Sequence, residues 1–399
     1  MAKIMVVAGG DWQIELIKKA KKMGHFVICS NLYEKSPAFP FADACEVADV
    51  LDKNKNLQIA QKYNPDAVIS DQSDIAVPTV AYLNEKLGLK GIGTEKAALF
   101  SDKSQLRIFC KNNNITIPDF KICKNYRDAL SFFKNCKKAI IKPIDSQSSR
   151  GVFTVTEAED IKKHMEETLA WSNARKEFLI EEYIEGDEFT IDGLVVNSQY
   201  YPMCISIKEM YKQNPNVSKM QTYSYYHDIY NYDTLRNTNK ELIEKTGLPF
   251  GLTHSEYKFN NGKYYLIEAG ARGGGSNLSG KIVPFMSGID NYEYLIRQAL
   301  DEDVSLPRFN QKQLETTFSI MRFFDFGKGK IKHIKGADSL SFVQNMLDYQ
   351  FNLKTGDVLD DLKFGRMRPG HFIIGGNDLK ELLQQMNDIV AGIKIDFEK

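Results

Sequence analysis

Residues 253–277 read THSEYKFNNGKYYLIEAGARGGGSN, and the reading of this stretch decides the fold. Two short alternating runs, 253–259 and 263–268, flank Asn260-Asn261-Gly262, which has the composition of a three-residue hairpin loop with glycine in the left-handed position. That register sets Glu256 opposite Leu266. Side chains alternate along a strand and cross-strand partners share a face, so Glu268 joins Glu256 on one face of the hairpin. Two like charges this close are unfavourable unless a cation sits between them. Hard oxygen ligands suit magnesium, which usually takes one or two carboxylates plus substrate phosphates. Arg272 follows four residues later, ahead of Gly273-Gly274-Gly275. Taken alone, the stretch is equally well an exposed hairpin whose acids face water.

The 399 residues, 43% hydrophobic and 26% charged, are enough to bury a large core in two or three domains. The 52 basic and 52 acidic residues cancel, which argues against a dedicated nucleic-acid binder while leaving room for a local basic groove. No apolar run approaches the roughly 20 residues of a membrane span, and the start, MAKIMVVAGGD, reads as a first strand rather than a signal peptide. The expectation is a soluble, cytoplasmic protein with neither a membrane nor a nucleic acid as partner. Cys29, Cys45, Cys110, Cys123, Cys136 and Cys204 are scattered without a C-x-x-C pair, which fits a reducing compartment and gives no support to zinc or a disulfide framework.

Residues 3–8 form a short apolar strand running into Gly9-Gly10, and 12–23 have helical spacing ending at Gly24. Strands at 25–30 and 67–70, with helices near 56–63 and 77–87, continue the alternation and predict a parallel sheet with helices on both faces over residues 1–98. Gly9-Gly10-Asp11-Trp12-Gln13 does not match the G-x-G-x-x-G of a nicotinamide fingerprint. A small-molecule substrate at the strand ends is the better use for this turn, with plain chain reversal as the alternative.

A helix is predicted over 97–112, containing Asp102-Lys103-Ser104, then a strand through Ile140-Ile141-Lys142-Pro143. The loop that follows, Asp145 to Gly151, is made of small polar residues whose backbone N–H groups and hydroxyls suit phosphate oxygens, although no Walker motif is present. After a helix at 157–169, the strand ending Glu181-Glu182-Tyr183-Ile184 breaks at Gly186, and another starts at Glu188. Such a crossing offers a backbone acceptor and donor to an adenine edge and an acid to a ribose. An ordinary linker between strands would look the same.

The order of these landmarks is more specific than any one of them. From Lys3 to about Gly376 the chain resembles the ATP-grasp superfamily of carboxylate-amine ligases. The resemblance implies an α/β chain in three parts: an N-terminal parallel-sheet preATP-grasp domain over 1–98, a two-lobed α+β ATP-grasp fold over 99–305 with a lid subdomain at about 117–192, and a small C-terminal α/β domain over 306–399. It further implies that Lys103 and Lys142 hold the ATP phosphates under a lid that includes Ser148, Ser149, Arg150 and Gly151. Glu182 and Ile184 look like the backbone contacts to adenine with Glu181 lining the same hinge, and Glu188 looks like the ribose ligand. Glu256 and Glu268 look like the magnesium carboxylates, with manganese as the alternative ion. Arg272 and Lys142 look like the catalytic cations beside the transferred phosphoryl group. One position departs from many relatives: where an Asn metal ligand often follows the second acid by two residues, this chain has Gly270, and E-A-G-A-R is closer to the amino acid ligase branch. Asn277 is a candidate to reach back to the metal in its place.

The implied activity is ATP-dependent joining of a carboxylate to an amine through an acyl phosphate, with small-molecule carboxylate and amine partners and a homodimer as the default assembly. An amino acid ligase is the leading reading. A purine-pathway ligase of the phosphoribosylglycinamide or carboxyaminoimidazole synthetase type, a carbamoyl-phosphate-synthase-like protein, a biotin-dependent carboxylase and a non-catalytic ATP-binding regulator are alternatives. Tyr223, Tyr225, Tyr226 and His227 fall where relatives build part of a substrate pocket, although alternating aromatics are more often half-buried strand residues, and His227 and His254 are expected to be structural. The closing segment is expected to carry strands at 317–326, 330–334 and 371–374, with Arg366 and Arg368 as surface charge in preference to groups that approach the active site.

Overall fold

The computed structural model describes residues 1–147, 149–172 and 175–398. Its N-terminal sheet is wholly parallel, in the order Ala44–Val47, Phe26–Asn31, Lys3–Val7, Ala67–Ile69. Alternate residues of Lys3–Val7 enter two different cores: Ile4 and Val6 pack with Leu16 and Ile282, while Met5 and Val7 pack with Ile59 and Leu83. A strand covered on both faces reads as an unbroken apolar run, which is why KIMVV was legible. Ala44–Val47 was not, because it is a four-residue edge strand of alternating partial exposure.

The helix expected over 97–112 is two helices, Thr94–Ser101 and Lys103–Asn112. The break is at Asp102 (φ −111°, ψ 105°), whose carboxylate accepts from the backbone N–H groups of Ser104 and Gln105. An N-cap aspartate competes with helix continuation for these donors. Its effect is to place Lys103 at the first position of a new helix.

Residues 120–182 build a four-stranded antiparallel sheet in the order Phe120–Cys123, Phe178–Glu182, Ala139–Pro143, Phe153–Val155. Helices Tyr126–Phe133 and Ala158–Ala170 cover it, with Ala129, Ile161, Ile141 and Ile180 in the shared core. An eight-stranded sheet follows in the order Lys263–Gly270, Gly251–Asn260, Glu188–Val196, Gln199–Tyr211, Asn214–Ser224, Phe318–Phe323, Gly370–Gly376, Met346–Phe351. This sheet continues across residue 306, so the C-terminal strands extend the same layer. Met346–Phe351, helix Leu379–Gly392 and strand Lys394–Phe397 had no counterpart in the sequence reading. No described helix is long and apolar enough to cross a membrane.

The 253–277 hairpin differs from expectation in register. Asn260 pairs with Lys263, so the loop is the two-residue turn Asn261-Gly262, with φ of 48° and 80°. Two positive φ values are what a type I′ turn requires, and Asn-Gly is its favoured sequence. A bulge then intervenes: Tyr257 pairs with Leu266, but Glu256 pairs with Glu268. The carboxylates therefore stand directly opposite each other, rather than one pair removed. Ile267, left without a cross-strand partner, gives its carbonyl to Arg107 Nη2 at 2.7 Å.

Candidate active site

Four elements converge on one cavity: the start of helix Lys103–Asn112, the end of strand Ala139–Pro143, the crossing between Phe178–Glu182 and Glu188–Val196, and the hairpin. The cavity is lined by Lys103, Lys142, Ser149, Arg150, Glu181, Glu182, Ile184, Glu188, Glu256 and Glu268, all of them singled out in the sequence. Ser148 lies outside the described residues. Gly151 is buried at φ +68° between Trp171 and Pro143 and is not part of the lining.

Most of the buried charges in this cavity are paired. Lys103 Nζ stands 3.0 Å from Glu268 Oε1 and donates to the Ser146 carbonyl at 2.6 Å. Burial pulls the lysine pKa down, but the Glu268 charge outweighs it and the net shift is upward. Lys208 Nζ bridges Glu188 (2.7 Å) and Glu256 (2.8 Å), tying the acid expected at the ribose to an acid expected at the metal. Burial opposes ionisation of Glu256, and the charge of Lys208 reverses that and holds the carboxyl well below the usual range. His254 stands 3.0 Å from Asp192 and 3.4 Å from Glu256. Burial works against its charged form, yet Asp192 brings it up to about 9.

Lys142 and Glu181 form a second, deeper group. Lys142 Nζ is 2.7 Å from Glu181 Oε2, while Arg107 donates Nε to Glu181 Oε1 at 2.7 Å and Nη2 to Oε2 at 3.3 Å. Arg107, Lys142 and Glu181 are 1%, 5% and 3% exposed. One carboxylate therefore serves two buried cations. Burial dominates for the amine, which is held down at about 8 even with Glu181 beside it. Such a lysine has reason to accept a further anion. Glu181 thus fixes Lys142 in place, more than it lines the hinge.

Arg272 does not line this cavity. Its Nε and Nη2 make a bidentate pair with Asp74 at 2.7 and 2.8 Å, and Nη1 donates to the Gly273 carbonyl. The glycines after it dock on the N-terminal unit, where Gly273 N–H donates to Asp71 Oδ1 at 2.6 Å. A Cβ at Gly273 would lie 2.1 Å from Ser279 Oγ, so only glycine permits this approach. Asn277 turns to Asp348, donating Nδ2 to Oδ2 at 2.8 Å, and does not reach the hairpin acids.

The donor set suits magnesium. Glu256 and Glu268 present carboxylate oxygens opposite one another, and the lysines that neutralise them show that the pair demands positive charge. Among the described residues no group of three or more His, Cys, Asp or Glu side chains makes a closed metal site. The residues fit an ion that takes its remaining oxygens from bound phosphates.

A second cavity of about 460 Å³ adjoins the first, and Gln147 lines both. Its walls come from the glycine turn (Gly10, Asp11, Trp12), Ser276 and the C-terminal residues Arg366 and Arg368. These arginines, expected as surface charge, line this cavity, with Arg366 exposed as expected and Arg368 half-buried. The aromatic candidates lie outside both cavities: Tyr223 is fully buried in the core, and Tyr226 is 54% exposed. Arg107 and Lys208 were missed by sequence reading, because a lone cation in a helix or strand carries no local signal of its partner.

Residues 136–279 match the ATP-grasp domain family, and residues 322–398 match L-amino acid ligase C-terminal domain 2. A formate-dependent phosphoribosylglycinamide formyltransferase from Erythrobacter litoralis is 26% identical over 191 residues, 47% of this chain and 48% of that protein. The chain spans about half the length of the curated relatives it matches. The crystal structure of an L-amino acid ligase from Bacillus licheniformis superposes with a TM-score of 0.81 at 16% identity, over 100% of this chain and 99% of that one. Phosphoribosylglycinamide synthetase from Anaerococcus prevotii superposes with a TM-score of 0.76 at 19% identity, over 100% of both chains. At these identities the likeness is one of fold.

Replacing Glu181 by Leu leaves Arg107 and Lys142 buried without their shared carboxylate. The expected loss of stability is about 3–5 kcal/mol, whereas Arg107→Leu, which leaves Lys142 and Glu181 as a one-to-one pair, should lose less. Urea unfolding of the three proteins measures this; a Glu181→Leu variant as stable as the parent would contradict it.

Proposed function

We propose that this chain, whose residues 136–279 match the ATP-grasp domain family, is an Mg-ATP-dependent ligase that joins a carboxylate to an amine through an acyl phosphate, with amino acids as its substrates. The observation that carries the proposal is the convergence of Lys103, Lys142, Glu256 and Glu268 on one cavity beside the Glu182–Ile184 crossing. The L-amino acid ligase match of the C-terminal segment supports the choice of substrates.

The roles follow from charge and position. Lys103 and Lys142 hold the phosphates and neutralise their oxygens as an anionic nucleophile approaches. The Glu182–Ile184 backbone takes the adenine edge, and Glu188, held by Lys208, takes the ribose. Magnesium, held by Glu256, Glu268 and phosphate oxygens, would supply the remaining neutralisation of the transferred phosphoryl group. A substrate carboxylate oxygen forms a bond to the γ-phosphorus as the bond to ADP breaks. The amine then attacks the acyl carbon, phosphate departs, and the amine gives up a proton. Ser149 and Arg150 belong to the loop that closes over the phosphates and keeps water from the acyl phosphate. Arg272, paired with Asp74, fixes the hairpin end against the N-terminal unit and adds positive potential near Glu256 and Glu268.

ADP release from purified protein with magnesium and ATP, across pools of amino acids, small carboxylates and phosphoribosylamine-type compounds with product masses recorded, tests the reading. Release that depends on a pair of compounds and yields their summed mass less water is expected; tight ATP binding with no release from any pool would overturn it. Glu268→Gln should abolish turnover and leave metal-free ADP binding nearly intact, and full activity in that variant would remove the metal assignment.

Lys142 also gives a pH dependence. Its amine is charged below about pH 8 and neutral above, so ATP affinity should fall as pH rises from 7 to 9. Lys142→Ala should bind ATP at least ten-fold more weakly, since a charge-assisted hydrogen bond is worth about 1.5–3 kcal/mol, and should show a flatter profile. Titration calorimetry measures both; parallel profiles would contradict the phosphate role.

A further inference from the structure

Glu256 has a second partner besides its lysine. Lys208 Nζ reaches Glu256 Oε1 at 2.8 Å, but the same ammonium also serves Glu188 at 2.7 Å. One shared ammonium holds a carboxylate in place better than it fixes its rotation, because a compact charge can serve either oxygen. The second contact comes from another direction: His254 Nε2 stands 3.4 Å from the same oxygen, Oε1. His254 lies two residues before Glu256 on strand Gly251–Asn260, so the two side chains share a face.

The ring is itself held. His254 stands opposite Asp192 on the neighbouring strand Glu188–Val196, with Nδ1 3.0 Å from Asp192 Oδ1. Asp192 is 1% exposed, and the same oxygen accepts the Gly274 N–H at 3.1 Å. Its Oδ2 is buried and has no hydrogen-bond partner among the described residues. An asparagine would accept from Gly274 equally well without carrying a buried charge. What the carboxylate adds is a negative partner for the imidazole. An imidazole that donates from Nδ1 to one acid and from Nε2 to another is fixed in its plane by both.

We propose that Asp192 and His254 are positioning residues for the metal acid: Asp192 orients the ring, the ring and Lys208 together hold Oε1 of Glu256, and Oε2 is the oxygen left for magnesium. The inference rests on the magnesium reading of Glu256 and Glu268. It also ties the orientation of Glu256 to the glycine run, since Asp192 shares one oxygen between His254 and Gly274, and the adjacent Gly273 docks on Asp71 of the N-terminal unit.

The test counts bound metal directly. Manganese, a paramagnetic stand-in for magnesium, is titrated into the full chain with protein in excess over AMP-PNP, and the free ion is read by electron paramagnetic resonance. Metal-free ADP affinity and the thermal midpoint are recorded on the same proteins. His254→Asn keeps a donor where Nδ1 stands and withdraws the one that faces Glu256, whereas His254→Gln keeps a donor near Nε2. His254→Asn should bind manganese about ten-fold more weakly, the scale of losing a partner behind a metal ligand. His254→Gln should recover affinity to within about three-fold of the parent, and Asp192→Asn should fall with His254→Asn. Metal-free ADP affinity should stay within two-fold in all three. Manganese affinity within two-fold of the parent in either His254→Asn or Asp192→Asn overturns the inference. So does an equal loss in both His254 variants that tracks the thermal midpoint, which marks a ring that only fills space. Failure of the magnesium reading looks different: Glu256→Gln and Glu268→Gln would then bind manganese as tightly as the parent, and the inference falls with that reading.

Discussion

Glu256 and Glu268 face each other across a hairpin, and much of the surrounding structure answers that single placement. Two carboxylates at cross-strand distance repel unless cations share the space. Here the cations come from distant points of the chain: Lys103 from the start of a helix 165 residues before Glu268, and Lys208 from a strand two places along the same sheet from Glu256. Each lysine has a second anchor, the Ser146 carbonyl or Glu188. The Ser146 carbonyl, Glu188 and the two hairpin acids are therefore joined through these lysines. Arg272 and Asp74 carry the same connection to the N-terminal unit.

How much of this was legible depended on whether the signal was local. The apolar run of Lys3–Val7, the helix Val77–Leu87 and the Asn-Gly hairpin carry their causes within a few residues; the first two were read correctly in kind, and the hairpin was read with its loop one residue too long. The bulge opposite Glu256 was not legible, because it arises where Ile267 is pulled to Arg107 across the fold. Its effect was to bring the two acids closer than the sequence register implied. The break at Asp102 was locally encoded, since an aspartate two residues before a serine is a capping pattern, but apolar spacing on both sides masked it. The C-terminal strand Met346–Phe351 is half-exposed along its length and so shows no apolar run.

The site residues show the same division. Ten side chains picked out by motif order line one cavity, since motif order preserves what single motifs lose. Partners without motifs were invisible: Arg107 in a helix, Lys208 in a strand, Asp192 behind His254. Arg366 and Arg368 stand in a loop whose sequence reads as surface, and only the return of Gly370–Gly376 into the large sheet carries them to a cavity. The second cavity is thus assembled from the two ends of the chain, of which the N-terminal glycine turn was legible and the C-terminal loop was not.

The central claim is that a carboxylate is activated by phosphoryl transfer in the Lys103–Lys142–Glu256–Glu268 cavity. Its most direct test uses the carboxylate that supports ADP release, labelled with ¹⁸O in both oxygens, with the released phosphate examined by mass spectrometry. An acyl phosphate leaves one substrate oxygen on phosphorus, so phosphate carrying a single ¹⁸O is the predicted result. Unlabelled phosphate released with the same stoichiometry would mean that water, not the carboxylate, takes the phosphoryl group.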